Sequence, residues 1–322
     1  MKLPIDHQWS EFIRNDDPIW LGVRSALVAF VVMGQPDIPQ FLGTGFVIGT
    51  SEEGFLLVLT AKHVIEGGAV QAQRPHGRRV PSAPSILFEP EKPAIDPKSL
   101  RAIWMGVDHA DMLFVRHVTY ADNLDVALCV LEVQENPGNG IHRMAPAIAL
   151  DTKIPSVGTP INIVTLSGFE ISEGPPELNG FRSWKIENRP VIRVGKVITN
   201  EKESMGHKGP SFGITIPTDG GMSGGFAYVP KDGGTIAACG IISASPQEDN
   251  GQTDFRVTGH STIVGVLGAL GLQIPVSSAT NVLLFDLVKS GKVQDLAGDV
   301  GNLRIKTIGS RGACEIYRHV EK

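Results

Sequence analysis

The chain has little sulfur, few aromatics and no surplus of positive charge. Its 322 residues include three cysteines, Cys129, Cys239 and Cys314. An odd number without framework spacing argues against a disulfide-stapled scaffold and fits the reduced, buried thiols of a cytoplasmic protein. The formal net charge of −5 points away from nucleic acid and from anionic membrane surfaces. The local cluster Arg74, Arg78 and Arg79 reads as a solvated loop. Long apolar runs are missing as well. Residues 26–33 are too few, and 263–274 is broken by Gly265, Gly268 and Gly271. No stretch reaches the roughly 18 apolar residues of a membrane span. The first ten residues hold neither an apolar signal core nor a small-residue cleavage site. The expectation is a cytoplasmic chain with no nucleic-acid partner and no membrane partner.

Glycine and proline are plentiful, at 37 and 22 residues, against 6% aromatics. Hydrophobic content of 42% with 20% charged residues describes a globular protein able to bury a substantial core. Many turns and short elements favour an all-β barrel or sandwich. The length allows two compact units, or one double domain with a tail.

Along the chain, Trp9, Phe12, Ile13 and Trp20 are spaced like a short amphipathic helix within a polar lead over 1–21. Strand-like runs follow at 23–33, 41–49 and 54–60, the last two joined as a hairpin. A proline-rich stretch over 67–100 predicts a long surface loop with one strand near 85–88. Strands at 112–118 and 125–133 complete a first unit over 22–134. The segment 135–156 reads as a connector. A second unit over 157–272 carries strands at 159–166, 191–199, 212–216, 225–229, 235–243 and 255–257. About six strands per half predict an all-β fold of two six-stranded antiparallel barrels. In the extension over 273–322 and just before it, 262–272 and 280–289 have helical spacing. Residues 302–308 and 313–317 look like a last strand pair. Covering a barrel edge is the plain role for this extension.

The hexamer Gly220-Gly221-Met222-Ser223-Gly224-Gly225 sets one hydroxyl among four glycines. It reads equally as a glycine-rich hairpin and as a tight turn whose N–H groups converge on an oxyanion. A serine nucleophile needs a base. Among the nine histidines, His63 follows the apolar run of 56–60, where its ring would emerge at the edge of a core. Alone, it reads more readily as a core or strand-end histidine held by a backbone carbonyl. Asp125 opens the run Asp125-Val126-Ala127-Leu128, where burial of a carboxylate requires a hydrogen-bond partner such as an imidazole. The plain alternative is a turn aspartate.

The order His, Asp, Ser, each in a fitting strand context, resembles the trypsin-like (chymotrypsin-fold) serine proteases of the bacterial, disulfide-free type. The matching segments are Gly43-Thr44-Gly45-Phe46-Val47-Ile48, Thr60-Ala61-Lys62-His63-Val64, Asp125-Val126-Ala127-Leu128 and Gly221-Met222-Ser223-Gly224-Gly225, within residues 22–272. The resemblance implies Ser223 as nucleophile, His63 as general base then acid, and Asp125 as the group that fixes the imidazole tautomer. It implies an oxyanion hole from the backbone N–H groups of Gly221 and Ser223. It also implies a substrate strand and specificity pocket at Ser243, Ala244 and Ser245, with Pro217 and Thr218 at the pocket floor and Ser243 supporting the aspartate. Peptide would bind by strand addition.

Two departures matter. Digestive relatives carry an aspartate before the nucleophile that pairs with a new N-terminus; Met222 cannot, so activation by that route is not expected. No acid stands at the pocket floor, so a strong Arg or Lys preference is not expected either, unless Asp219 turns inward.

No cofactor and no metal is expected. His109 with Asp108 and Asp111 reads as a solvated loop, and the glycines at 265, 268 and 271 form no phosphate loop. The leading expectation is a serine endopeptidase acting on polypeptide substrates inside the cell, not activated by zymogen cleavage and open to control by a regulatory protein partner. Its rivals are a catalytically silent protease-fold binding module and a signal-gated protease subunit of a larger assembly. In the latter, the 67–100 loop and the C-terminal extension would be docking surfaces.

Overall fold

The structure is a computed structural model of the full chain. It describes residues 10–12, 18–33, 39–51, 53–72, 100–105, 110–120, 124–132, 146–166, 169–174, 184–187, 190–204, 207–218, 221–231, 233–243, 261–277, 280–297, 300–308 and 313–318.

Six antiparallel strands close the first barrel in the order Leu27–Met33, Pro39–Thr50, Leu56–Thr60, Ala127–Glu132, Ala110–Tyr120 and Leu100–Met105. Leu56–Thr60 is buried along its whole length, which is why it reads as a continuous apolar run instead of an alternating one. It pairs with Pro39–Thr50 on one side and Ala127–Glu132 on the other. That pairing brings the segment before His63 alongside the segment after Asp125.

The second barrel closes through Pro160–Leu166, Pro190–Ser204, His207–Ile214, Ser261–Gly265, Gly240–Ile242 and Phe226–Tyr228. Its core is a compact apolar cluster including Ile161, Ile163, Phe212, Ile214, Ile242 and Ile263, and Met222 belongs to it with no exposed surface. The expected double six-stranded barrel is therefore the observed fold. The barrels meet along a shared seam. The Phe46 and Phe226 rings, one from each barrel, lie 5.2 Å apart, and Thr44 N–H donates to Ser223 O at 2.8 Å.

Several elements differ from the sequence expectation. Ser10–Phe12 is a strand, added antiparallel to Pro190–Ser204, because a free edge there offers its backbone groups a partner. The N-terminal helix is Pro18–Ser25. Residues 62–72, expected as strand end and loop, form the helix Lys62–Ala72. Ser261–Gly265 is a strand and Val266–Gly271 a 3-10 helix, where helical spacing led us to expect one helix over 262–272. Every residue of Ser261–Gly265 is buried, so its apolar residues show no alternation. Likewise Thr280–Leu283 is a strand and only Leu284–Lys289 is helical. The strands expected at 85–88 and 255–257 lie outside the described residues, as do Arg74, Arg78, Arg79, Asp108, His109 and Asp219.

The C-terminal segment packs on the first barrel and the connector. Thr119 Oγ1 donates to Gln273 O at 2.7 Å, Leu150 N–H donates to Gln294 O at 2.7 Å, and Leu296 N–H donates to Leu150 O at 2.8 Å. Val293 and Leu284 are buried there. Cys129 and Cys239 are free, buried thiols, and burial raises the pKa of both. Among the described residues no helix is long and apolar enough to cross a membrane.

Candidate active site

Asp125 ends a bend just before Ala127–Glu132 and is buried, with 6% of its side chain exposed. Isolated there, its charge would be costly. Three donors offset that cost: His63 Nδ1 at 2.7 Å, His63 N–H at 2.9 Å and the Ser243 hydroxyl. Burial pushes the Asp125 carboxyl up, but His63 and these hydrogen bonds outweigh it and hold the pKa at about 2. The carboxylate is thus ionised at neutral pH and can only accept. His63 Nδ1 must carry the proton of this bond, which leaves Nε2 of the neutral ring as an acceptor.

His63 lies in the first turn of Lys62–Ala72, and 34% of its side chain is exposed. Burial works against its cationic form. The Asp125 charge and hydrogen bond, with the field of Glu66, more than compensate, so its pKa lies above 6.5. The preceding residue, Lys62, is buried with its ammonium 4.6 Å above the Tyr120 ring and 4.0 Å from Glu66. Its aliphatic stem and charge are both accommodated, which fixes the start of the helix carrying the imidazole.

The turn presenting Ser223 is fixed from below and behind. Met222 is driven into the second-barrel core. Gly221 and Gly224 have φ of +88° and +83°, a region that strongly favours glycine. At Gly224 a Cβ would stand 1.9 Å from Thr44 O and 2.2 Å from Thr60 Oγ1, so no larger residue fits. Three consecutive carbonyls are engaged at the seam. Gly221 O accepts from Thr44 Oγ1 at 3.1 Å, Met222 O from Thr165 Oγ1 at 3.0 Å, and Ser223 O from Thr44 N–H at 2.8 Å. Among the described residues, the N–H groups of Gly221 and Ser223 make no hydrogen bond. Donors of this kind can receive an oxyanion.

The Ser223 hydroxyl donates to Ser243 O at 3.0 Å. Ser243 therefore touches both ends of the site, through its carbonyl to Ser223 and through its hydroxyl to Asp125. The structure links His63, Asp125, Ser243 and Ser223 in one chain of hydrogen bonds. Pro217 and Thr218 follow the second-barrel strand His207–Ile214, with Thr218 Oγ1 accepting from Ser261 Oγ at 3.1 Å. Ala244 and Ser245 lie outside the described residues. No group of three or more His, Cys, Asp or Glu side chains suited to a metal occurs among the described residues.

Sequence reasoning missed three residues here. Arg193 Nη1 donates to Pro217 O at 2.9 Å, bringing a fixed positive charge to the expected pocket floor. Arg193 faces Ile163 across the pair of strands, and Ile163 is a core residue. Cross-strand partners share a face, so a charged residue at an inward position of 190–204 was the available signal. Thr44 and Thr165 are wholly buried, and nothing in their apolar contexts announced their reach to the turn.

No protein-family model matches the chain, and no curated protein does. Among solved structures, the protease Anisep from Arthrobacter nicotinovorans is similar, with a TM-score of 0.42 and 11% identity over 74% of this chain and 90% of that one.

Proposed function

We propose that the chain is a serine endopeptidase of the trypsin-like kind, hydrolysing peptide bonds through an acyl-enzyme. The observation that carries this reading is the His63 ring held at Nδ1 by an ionised, buried Asp125, in the same site as the Ser223 hydroxyl. In the proposed mechanism Ser223 Oγ turns from Ser243 O towards His63 Nε2, gives up its proton there and attacks the scissile carbonyl. The carbonyl oxygen takes up negative charge opposite the N–H groups of Gly221 and Ser223. His63 then returns the proton to the leaving amine, and water repeats the sequence to release the acyl group. Asp125 stabilises the imidazolium without itself taking the proton.

Substrate backbone would pair with the chain at Ser243, which directly follows the strand Gly240–Ile242. Pro217 and Thr218 would floor the pocket for the residue before the scissile bond. Arg193 beside Pro217 O disfavours a cationic side chain there, which extends the expectation drawn from the missing acid. Met222, buried as a hydrophobic anchor, replaces any ion pair from a freed N-terminus, so the intact chain would be competent without trimming. The targets we propose are intracellular polypeptides, with control, where it exists, exerted by a partner protein.

Profiling of new protein N-termini in cells carrying the native chain or Ser223→Ala tests the reading. Serine-dependent termini with a shared sequence preference are expected. Identical sets of termini in both, with and without candidate partners, would favour a silent binding module.

A further inference from the structure

Thr44 and Thr165 come from different barrels, yet their hydroxyl oxygens lie 2.9 Å apart and both reach the backbone of the Ser223 turn. Thr44 lies on Pro39–Thr50 and Thr165 on Pro160–Leu166. Both residues are wholly buried, so water does not substitute for either hydroxyl. The pair has two protons for three contacts: Thr165 donates to Met222 O at 3.0 Å, and the Thr44 proton is shared between Thr165 Oγ1 and Gly221 O at 3.1 Å. Leu166 N–H donates to Thr44 Oγ1 at 3.1 Å, leaving the Thr44 proton for an acceptor on the far side. The Thr44 carbonyl is itself held by Thr60 Oγ1 at 2.6 Å.

A trans peptide is planar, with its C=O and N–H pointing in opposite directions. Fixing the Met222 carbonyl on Thr165 therefore also fixes where the next N–H points. That N–H belongs to Ser223, and it is directed away from the seam. Gly225 N–H also donates to Met222 O, at 3.2 Å, so the direction of an oxyanion donor is set jointly by this backbone group and a buried hydroxyl behind the turn, one peptide plane removed from the chemistry.

We propose that Thr165, supported by Thr44, is a positioning residue that aims the Ser223 N–H at the developing oxyanion. The inference rests on the serine-peptidase reading and goes beyond it, because neither threonine touches substrate. Aiming a donor matters only when charge has developed, so its loss lowers kcat and leaves KM nearly unchanged. A merely structural role would not produce that split.

The test is a Thr165→Ser, Thr165→Cys and Thr165→Val series, with thermal unfolding to check folding. Measurements are kcat and KM on a peptide the native chain cleaves, and inhibition by a peptide aldehyde and by its alcohol. Thr165→Ser is expected within about threefold of native, and Thr165→Cys in between. Thr165→Val is expected to lose on the order of ten- to a hundredfold in kcat, less than deletion of a whole oxyanion donor. Aldehyde affinity should fall with kcat/KM while alcohol affinity holds. Native kcat in Thr165→Val, or a loss entirely in KM, would overturn the proposal. Should the valine variant not fold, Thr165→Cys equal to Thr165→Ser would do the same. If the native chain neither cleaves peptides nor reacts with a fluorophosphonate, the peptidase reading fails by itself. Crystal structures of the native chain and the cysteine variant then decide the positioning claim. A turned Met222–Ser223 peptide supports it and an unmoved one refutes it.

Discussion

Asp125 grips His63 at two points, Oδ2 on the ring Nδ1 at 2.7 Å and Oδ1 on the backbone N–H at 2.9 Å. The first contact sets the tautomer and the second sets where the helix carrying the ring begins. Only the neutral ring can accept the serine proton, and the Asp125 charge helps raise the pKa of His63 above 6.5. Activity should therefore be lost as pH falls through that raised value, with the inflection in kcat/KM above 6.5. Asp125→Asn removes the charge, so the inflection should move down while kcat drops by roughly 10³–10⁴. A pH–rate profile of both proteins, with chemistry shown to be rate-limiting, measures this.

Met222 is fully buried among the apolar side chains of the second-barrel core. Met222→Leu conserves volume and should cost less than about 1.5 kcal/mol, with activity kept. Met222→Asp buries a carboxylate in that apolar core and should destabilise the second barrel by several kcal/mol or prevent folding. Urea unfolding of both variants provides the comparison.

Glycine is required at position 224 for two independent reasons, its φ and the absence of space. Gly224→Ala should cost more than about 3 kcal/mol and abolish activity. Gly54 shares the backbone conformation, at φ +84°, but a Cβ there would meet nothing within 4 Å. Gly54→Ala should therefore cost only about 1–2 kcal/mol, the strain alone. The difference in unfolding free energy between the two variants isolates the steric part.

The Arg193 guanidinium beside Pro217 O would make a second cation at the proposed pocket floor unfavourable. In a positional-scanning peptide library, Arg- and Lys-ended peptides should rank below neutral or acidic ones. Arg193→Gln should narrow that gap by weakening the repulsion. A clear Arg optimum in the native protein would contradict this placement of the pocket.

The architecture was legible because its strands are written in runs such as Leu56–Thr60 and Ala127–Glu132, bounded by glycine and polar turns. The sequence pattern failed where both faces of a strand are buried, as at Ser261–Gly265, since period two then disappears and helical spacing arises by chance. The start of the helix at Lys62 was missed for a different reason. Gly67 and Gly68 argue locally for a loop, while burial of Val64 and Ile65 favours the helix. Of the site, the side chains His63, Asp125 and Ser223 were readable from their order and context. The supporting groups were not, because Thr44, Thr165 and Arg193 act across 177, 57 and 24 residues of chain, which no local pattern records.

Labelling of the intact, untrimmed chain with a fluorophosphonate, followed by peptide mapping, tests the central claim most directly. One adduct on Ser223 is predicted, formed without prior proteolysis and slowed by orders of magnitude in His63→Ala. No adduct on the native chain, or undiminished labelling in His63→Ala, would contradict the account.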